Sequence, residues 1–271
     1  MASIGAIQPQ DLTVTILGNE LLHRGPGATA WSGGLVQLLG ELGFTNEAAR
    51  AALSRLARRG FIERARDGRH IDYRLTESSR RALLAGEERI LSFGRPAPRE
   101  PASQRGAEPW TFVSFALPEA RRADRDRLRN RLGFAGFGPL HDGVWVAAHD
   151  RSATVAELVA ELRVGEFVET FTGRPAGHSD PAALAKRVWP LAELDAAYVA
   201  FVDEARADTG SALARRARLM HRYRQFPFRD PELPPGLWDS TWRAAAIEEF
   251  HTQWRALAPG AAREFEEQCQ R

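Results

Sequence analysis

Between Ser92 and Trp110 the chain reads SFGRPAPREPASQRGAEPW, with prolines at 96, 98, 101 and 109. A proline has no backbone N–H to donate and biases the residue before it away from the helical region, so no helix or interior strand runs through this stretch. Few large apolar side chains precede Trp110. The segment over 93–109 therefore reads as a stiff, polyproline-like linker that cuts the 271-residue chain into separately folding parts. A second change falls at GRPAGHSDP, residues 173–181, where strand-like sequence gives way to helical periodicity. The expected organisation is a unit over 10–92, a middle unit over 110–174 and a carboxyl-terminal unit over 175–271.

In the first unit, Leu12, Ile16, Leu21 and Leu22 are spaced for a helix that Gly25-Pro26-Gly27 ends. Ser32 is placed to cap a second helix through Leu42, with Leu35, Leu38, Leu39 and Leu42 inward and Gly43 as its stop. Thr45 caps a third over 46–59, closed by Gly60. Two short helices separated by about three residues match helix-turn-helix spacing. In FIERARDGRHIDYRLT, Asp67-Gly68 is a hairpin-turn signal, and Ile71, Tyr73 and Leu75 alternate with polar residues as on a strand with one buried face. SSRRALLAGEERI reads as a closing helix. Three helices, a hairpin and a tail helix make a winged helix-turn-helix.

The middle unit alternates differently. WTFVSFAL is a strand, RRADRDRLRNRL a charged helix, and GFGPL and GVWVAAH are two strands turning at His141-Asp142-Gly143. TVAELVAEL is a helix and GEFVETFTG a last strand. The order β-α-β-β-α-β predicts a ferredoxin-like domain, and this unit is the expected dimerisation domain. In the third unit Leu184, Val188, Leu191, Leu194, Tyr198, Phe201 and Val202 share an apolar side, with Pro190 limiting or kinking the helix; two further helices follow. The fold class is α+β.

Charge then singles out one surface. Between Ala48 and Arg74 eight arginines face three acids, a local net of +5, whereas residues 110–174 carry nine of each sign and residues 175–271 thirteen basic against fourteen acidic. A basic block in a balanced chain points to a polyanion, although a solvated helix in an arginine-rich protein, with Lys186 its one lysine, gives the same count. On a helical wheel from Asn46, the residues Ala49, Ala52, Leu53 and Leu56 form a stripe. Glu47, Ala51, Ser54 and Arg58 lie opposite, flanked by Arg50 and Arg55. Small residues at 51 and 54 let such a helix approach base edges while the arginines reach bases or phosphates. The candidate DNA-contacting residues are Thr45, Asn46, Arg50, Ser54, Arg55 and Arg58, with Arg66, Arg69 and His70 on the wing. Arg50, Ser54 and Arg55 are the expected base readers and Arg58 a phosphate contact, with Arg58 and Arg59 also placed to complement the helix dipole.

Other chemistry finds little support. Seven scattered histidines include no H-x-x-x-H pair, and the single cysteine, Cys269, rules out an intrachain disulfide and a four-cysteine zinc site, so no metal site is expected. No G-x-S-x-G, P-loop or G-x-G-x-x-G motif occurs, and the first strand of the middle unit has no aspartate, so no catalytic residue is nominated. A metal-dependent nuclease built on the ferredoxin-like domain stands as the enzyme alternative, and a ligand-independent DNA-binding regulator as the other. The terminus MASIGAIQPQ has no signal-peptide pattern and no stretch approaches about 20 apolar residues, so a cytoplasmic protein without a membrane partner is expected. In RRARLMHRYRQFPFRDPELP, Arg216, Arg222, Tyr223, Arg224 and Phe226 suit an anionic aromatic ligand, guanidinium for the acid and rings for the apolar body. The alternative there is an aromatic core with arginines paired to Asp230, Glu232, Glu248 and Glu249.

Three stretches, LTVTILGNELL, ARAALSRLARRGFIERARDGRHIDYRLT and HRYRQFPFRDPELPPGLWDSTW, in this order and spacing, resemble the PaaX family of repressors of phenylacetic acid degradation. The middle unit looks like that family's ferredoxin-like domain, which is similar to the small CRISPR spacer-acquisition nuclease but is not expected to cut nucleic acid. The resemblance implies a homodimeric repressor of aromatic-acid catabolism that binds a double-stranded DNA operator. It also implies release by an acyl-CoA thioester, typically phenylacetyl-CoA, with no other cofactor. It places the DNA-contacting role on the helix beginning at Asn46 and fixes no ligand residue.

Overall fold

A computed structural model describes residues 7–67, 70–94 and 109–270. The chain opens with α1 (Pro9–Leu21), a two-residue strand β1 (Ala30–Trp31), α2 (Ser32–Glu41) and α3 (Asn46–Arg58). A hairpin of β2 (Ile62–Asp67) and β3 (His70–Leu75) leads into α4 (Glu77–Ser92). Next come β4 (Trp110–Phe115), α5 (Arg122–Phe134), β5 (Gly138–His141), β6 (Val144–Ala147), α6 (Ser152–Leu162) and β7 (Val168–Gly173). The chain ends in α7 (Pro181–Val188), α8 (Leu191–Ala207), α9 (Ala212–Tyr223) and α10 (Thr241–Cys269). Pro190 breaks the predicted long helix cleanly into α7 and α8, whereas Pro259 is accommodated inside α10.

Two compact units emerge, and neither is a continuous run of chain. One comprises Met1–Phe93, Phe201–Arg224 and Ala246–Arg271; the other comprises Gly94–Ala200 and Gln225–Ala245. The helices of 175–271 are thus divided between them.

In the first unit, Leu12, Ile16 and Leu17 of α1, Leu35, Leu38 and Leu39 of α2, and Leu53 and Leu56 of α3 share one core with Tyr73 and Leu75. Leu213 and Ala217 of α9 and Ala261, Phe265 and Cys269 of α10 complete it. Buried Thr13 and Thr15 donate back to the carbonyls of Pro9 (2.7 Å) and Asp11 (3.0 Å), so α1 buries polar side chains without orphaning them. The three strands lie in the order β1-β3-β2.

Three local expectations are corrected. Ser32 is the first residue of α2 rather than its cap; Trp31 occupies the cap position while still paired in β1, and the helix ends at Glu41. Asp67 pairs with His70 in the ladder, so the hairpin connection is 68–69, outside the described residues, and not Asp67-Gly68. Tyr73 and Leu75 are buried but Ile71 is 38% exposed, because burial fades along β3 toward the hairpin tip.

In the second unit all strand pairs are antiparallel and the sheet order is β5-β6-β4-β7. Val113 and Phe115 of β4 meet Leu128 and Leu132 of α5 and Val155 and Leu158 of α6, so both helices cover one face. On the other face Trp110 lies 6.1 Å from Trp189. Gly143, at φ 72°, makes the β5–β6 turn, and a Cβ there would collide with the carbonyl oxygen of Phe115.

Candidate nucleic-acid interface

The hydroxyl of Thr45 accepts a hydrogen bond from the amide of Ala48 at 3.2 Å, which fixes where α3 begins. The glutamate in its first turn, Glu47, is held below the usual carboxylate range by backbone amide hydrogen bonding, then by the Thr45 hydroxyl and, to a smaller extent, by the Arg50 charge. Ala49, Ala52, Leu53 and Leu56 are at most 2% exposed, which sets the rotation of the helix and so decides which side chains face outward. Asn46, Arg50, Ala51, Arg58 and Arg59 are exposed, and Ser54 and Arg55 are half-buried.

Arg55 differs from its neighbours. Its Nε donates to the side-chain oxygen of Gln10 on α1 at 3.4 Å, so this guanidinium is partly committed to holding α3 against α1. Arg50, Arg58 and Arg59 take part in no ion pair among the described residues. On the hairpin, exposed Arg64 is likewise outside any ion pair, whereas Arg74 is bound to Glu63 at 2.8 Å. Arg59 shares with Arg58 the reading of phosphate clamp or dipole partner at the end of α3, whereas Arg64 was not nominated; the alternation of β2 is the signal that marks it. His70 is exposed and meets Trp31 edge to face at 6.2 Å. Arg66 sits on β2 opposite Ile71, but its side chain and all of Arg69 lie outside the described residues. The result is an outward helix face with small residues at its centre and unpaired arginines at its rim, next to a hairpin of the same charge.

The five residues nominated for a small ligand each have partners within their own unit. Arg216 donates to Glu20 at 2.8 Å and its guanidinium stacks 3.7 Å from the Trp254 ring centre. Arg222 pairs with Glu204 at 2.9 Å and approaches Asp208 at 3.8 Å. Tyr223 stacks on Phe250 at 3.7 Å with the rings 2° from parallel. Arg224 is half-buried in the same unit, while Phe226 belongs to the other and stacks on Tyr198 at 4.2 Å. Arg216 and Arg222 are paired as the alternative reading expected, but their partners are Glu20, Glu204 and Asp208.

The PFRDPELPPGLWDSTW stretch is structural as well. The fully buried carboxylate of Asp230 accepts from the Tyr198 hydroxyl (2.5 Å), Arg243 Nε (2.7 Å) and the Glu232 amide (2.6 Å). Asp195 accepts from Trp238 Nε1 at 3.2 Å and from the Ser240 hydroxyl. A cleft of about 390 Å³ in the first unit is lined by Trp31, Gln37, Glu41, Ser211, Glu264, Glu267 and Gln268. Three carboxylates facing one cleft disfavour an anionic occupant. Among the described residues no three His, Cys, Asp or Glu side chains are grouped to hold a metal ion, and no helix is long and apolar enough to cross a membrane.

Comparison with known proteins gives matches along the whole chain. The family model for PaaX-like protein matches residues 8–79, that for the PaaX protein central Cas2-like domain 103–185, and that for the PaaX-like protein C-terminal domain 189–268. The chain is 29% identical over 267 residues to the Transcriptional repressor PaaX of Escherichia coli (strain K12), a match covering 92% of this chain and 80% of that protein. The solved structure of the uncharacterized protein Rv0674 from Mycobacterium tuberculosis shares the fold, with a TM-score of 0.65, 21% identity, and coverage of 97% of this chain and 99% of that one. Three matches to one family, consecutive and in register with the helix α3, the four-stranded sheet and the carboxyl-terminal helices, place the chain in the PaaX family.

Proposed function

We propose that this protein is a DNA-binding transcription repressor, not an enzyme, that controls aromatic-acid catabolism and leaves its operator when an acyl-CoA thioester such as phenylacetyl-CoA binds. In this reading the first ninety residues act as a winged helix-turn-helix, with α3 in the major groove and the β2–β3 hairpin as the wing. The middle part acts as a ferredoxin-like dimerisation domain. The observation that carries the proposal is the division of α3 into a buried Ala49/Ala52/Leu53/Leu56 stripe and an outward face of Ala51 and Ser54 rimmed by Arg50 and Arg58. An alanine at the centre admits the helix to base edges, and the arginines supply forked donors to guanine or phosphate. The family and the curated repressor relative support the same reading.

One recognition helix spans only a few base pairs, so the operator is read by two copies on a palindrome. The effector binds one of two conformational states better and so shifts the protein away from the half-site spacing that fits. The test is a gel shift on duplexes enriched from a random-sequence pool. Arg50→Ala is expected to cost about 1–3 kcal/mol on the selected site and to relax its sequence preference, whereas Arg58→Ala weakens binding to all duplexes alike. Unchanged affinity and preference in both variants would overturn the assignment. Phenylacetyl-CoA is expected to release the complex at concentrations where free coenzyme A does not.

A further inference from the structure

The β2–β3 hairpin has two faces of opposite chemistry. Residues directly opposite on paired strands point to the same side of a sheet, so the register puts Ile62 with Leu75 and Arg64 with Tyr73 on one face, where Ile71 lies diagonal to Arg64. This face is buried at Ile62, Tyr73 and Leu75 and then opens: Ile71 is 38% exposed, and Arg64 is exposed and in no ion pair among the described residues. On the other face Glu63 is bound to Arg74 at 2.8 Å, Asp72 stands opposite Ala65, and His70 meets Trp31, itself paired with Asp72. The hairpin is also held firmly against the end of α3, from which only residues 59–61 separate it. The Phe61 amide donates to the Leu56 carbonyl at 3.0 Å, the Thr76 hydroxyl to the Gly60 carbonyl at 2.8 Å and the Thr76 amide to the Phe61 carbonyl at 3.3 Å. With β3 between it and β1, β2 is the edge strand, so Arg64 stands on the outer strand of a ribbon whose base is fixed to α3.

We propose that the Arg64/Ile71 face is a second base-reading surface, with the Arg64 guanidinium in the minor groove beside the α3 site and Ile71 against the sugars of the groove wall, and that it selects A·T pairs there. The proposal rests on the DNA-binding reading above. A phosphate contact accounts for Arg64 but not for the exposed isoleucine next to it, because phosphate oxygens offer no apolar surface. The walls of the minor groove do, in the C–H groups of deoxyribose. That groove is about 6 Å wide, enough for side chains but not for a two-stranded ribbon, so the hairpin lies over its mouth and the side chains enter. A narrow groove over A·T pairs concentrates negative potential that draws a guanidinium, whereas a G·C pair adds the guanine 2-amino group to the groove floor. Like-charge repulsion turns the opposite face, with Glu63 and Asp72, away from the phosphates.

Binding of the full chain to a duplex selected from a random-sequence pool tests the assignment by base-pair replacement. Changing the A·T pairs that flank the α3 bases to G·C is expected to weaken wild-type binding about tenfold. Inosine·cytosine pairs, which keep an A·T-like minor groove under a G·C-like major groove, are expected to restore it. Arg64→Ala is expected to cut this discrimination to less than about twofold while keeping the preference at the α3 bases and an unchanged circular dichroism spectrum. Arg74→Ala, on the other face, is expected to leave the discrimination as it is. Inosine·cytosine pairs that bind as poorly as G·C overturn the proposal. So does an Arg64→Ala protein that weakens on all duplexes alike or discriminates as the wild type does. A wild type that is selective at the α3 bases but indifferent at the flanks overturns the groove contact alone, whereas a wild type that selects no duplex overturns the repressor reading itself.

Discussion

At the residue scale, two buried groups dominate what can be predicted. His221, on α9, is 7% exposed, and burial, followed by the charge of Arg224, pushes its pKa down to about 4; Asp11 acts in the opposite direction, and Arg222 adds a smaller lowering. In the unfolded chain a histidine titrates near 6.5. Between these values the unfolded state holds the extra proton, so stability present at neutral pH is lost as the pH falls from about 6.5 toward 4. By pH 5 the loss is about 2 kcal/mol. Urea unfolding of His221→Gln should lack this part of the wild-type pH dependence, and an equal slope in the two proteins would contradict the assignment. Arg216 and Glu20 make the second case. Their side chains are 12% and 3% exposed, and burial raises the Glu20 pKa despite the pull of Arg216. Removing one member leaves a buried charge unpaired, so Arg216→Ala is expected to destabilise by about 3–5 kcal/mol, read as a lowered urea midpoint. The role of Arg216 was not legible in the sequence because Glu20 lies 196 residues away. Arg55 shows the same limit on a smaller scale: helical spacing placed it correctly on the rim of α3, but only the crossing of α1 reveals that Gln10 claims part of it.

At the scale of elements, the sequence signals that held were those stored within a few residues. Thr45 as a cap, the Ala49/Ala52/Leu53/Leu56 stripe and the break at Pro190 each rest on contacts one or two helical turns long. Replacing Thr45 by alanine removes the acceptor for the Ala48 amide and should cost about 1 kcal/mol, with a matching fall in thermal midpoint. The signals that failed depended on what an element packs against. Ile71 continues the alternation of β3, yet it lies beyond the part of the hairpin that the helices cover. Gly34 is the opposite case. It sits inside α2 with no unusual spacing, but a Cβ there would collide with the backbone carbonyl of Gln268 and stand 3.0 Å from the Cys269 Cα. The glycine is what lets the end of α10 lie directly on α2. Gly34→Ala gains about 1 kcal/mol of helix propensity but loses about 1–3 kcal/mol to overpacking. The net result expected is a protein no more stable than the wild type, with faster proteolysis after α10 residues near 268.

At the scale of the whole molecule, reading along the chain gives three consecutive units, and the three family matches, over 8–79, 103–185 and 189–268, follow the same order; packing adds that α9 and the end of α10 share the core of α1, α2 and α3. Linkers and changes of period mark where chain character shifts, but not which distant segments share a core, since Leu213 or Phe265 is as apolar in either place. Charge distribution, by contrast, survives folding, because exposed arginines remain where the sequence puts them. It yields a prediction for the outward face of α3. Each phosphate neutralised by a cation lowers the slope of log K against log salt by about 0.9 on duplex DNA. Arg58 occurs once per chain, so in a complex of two copies Arg58→Ala removes two contacts, and the slope is expected to become shallower by about 1.8. Titrations of a selected duplex across a salt series measure this change. A change near 0.9 would mean that one copy binds, contradicting two-fold operator recognition, and no change would remove Arg58 from the phosphate contacts.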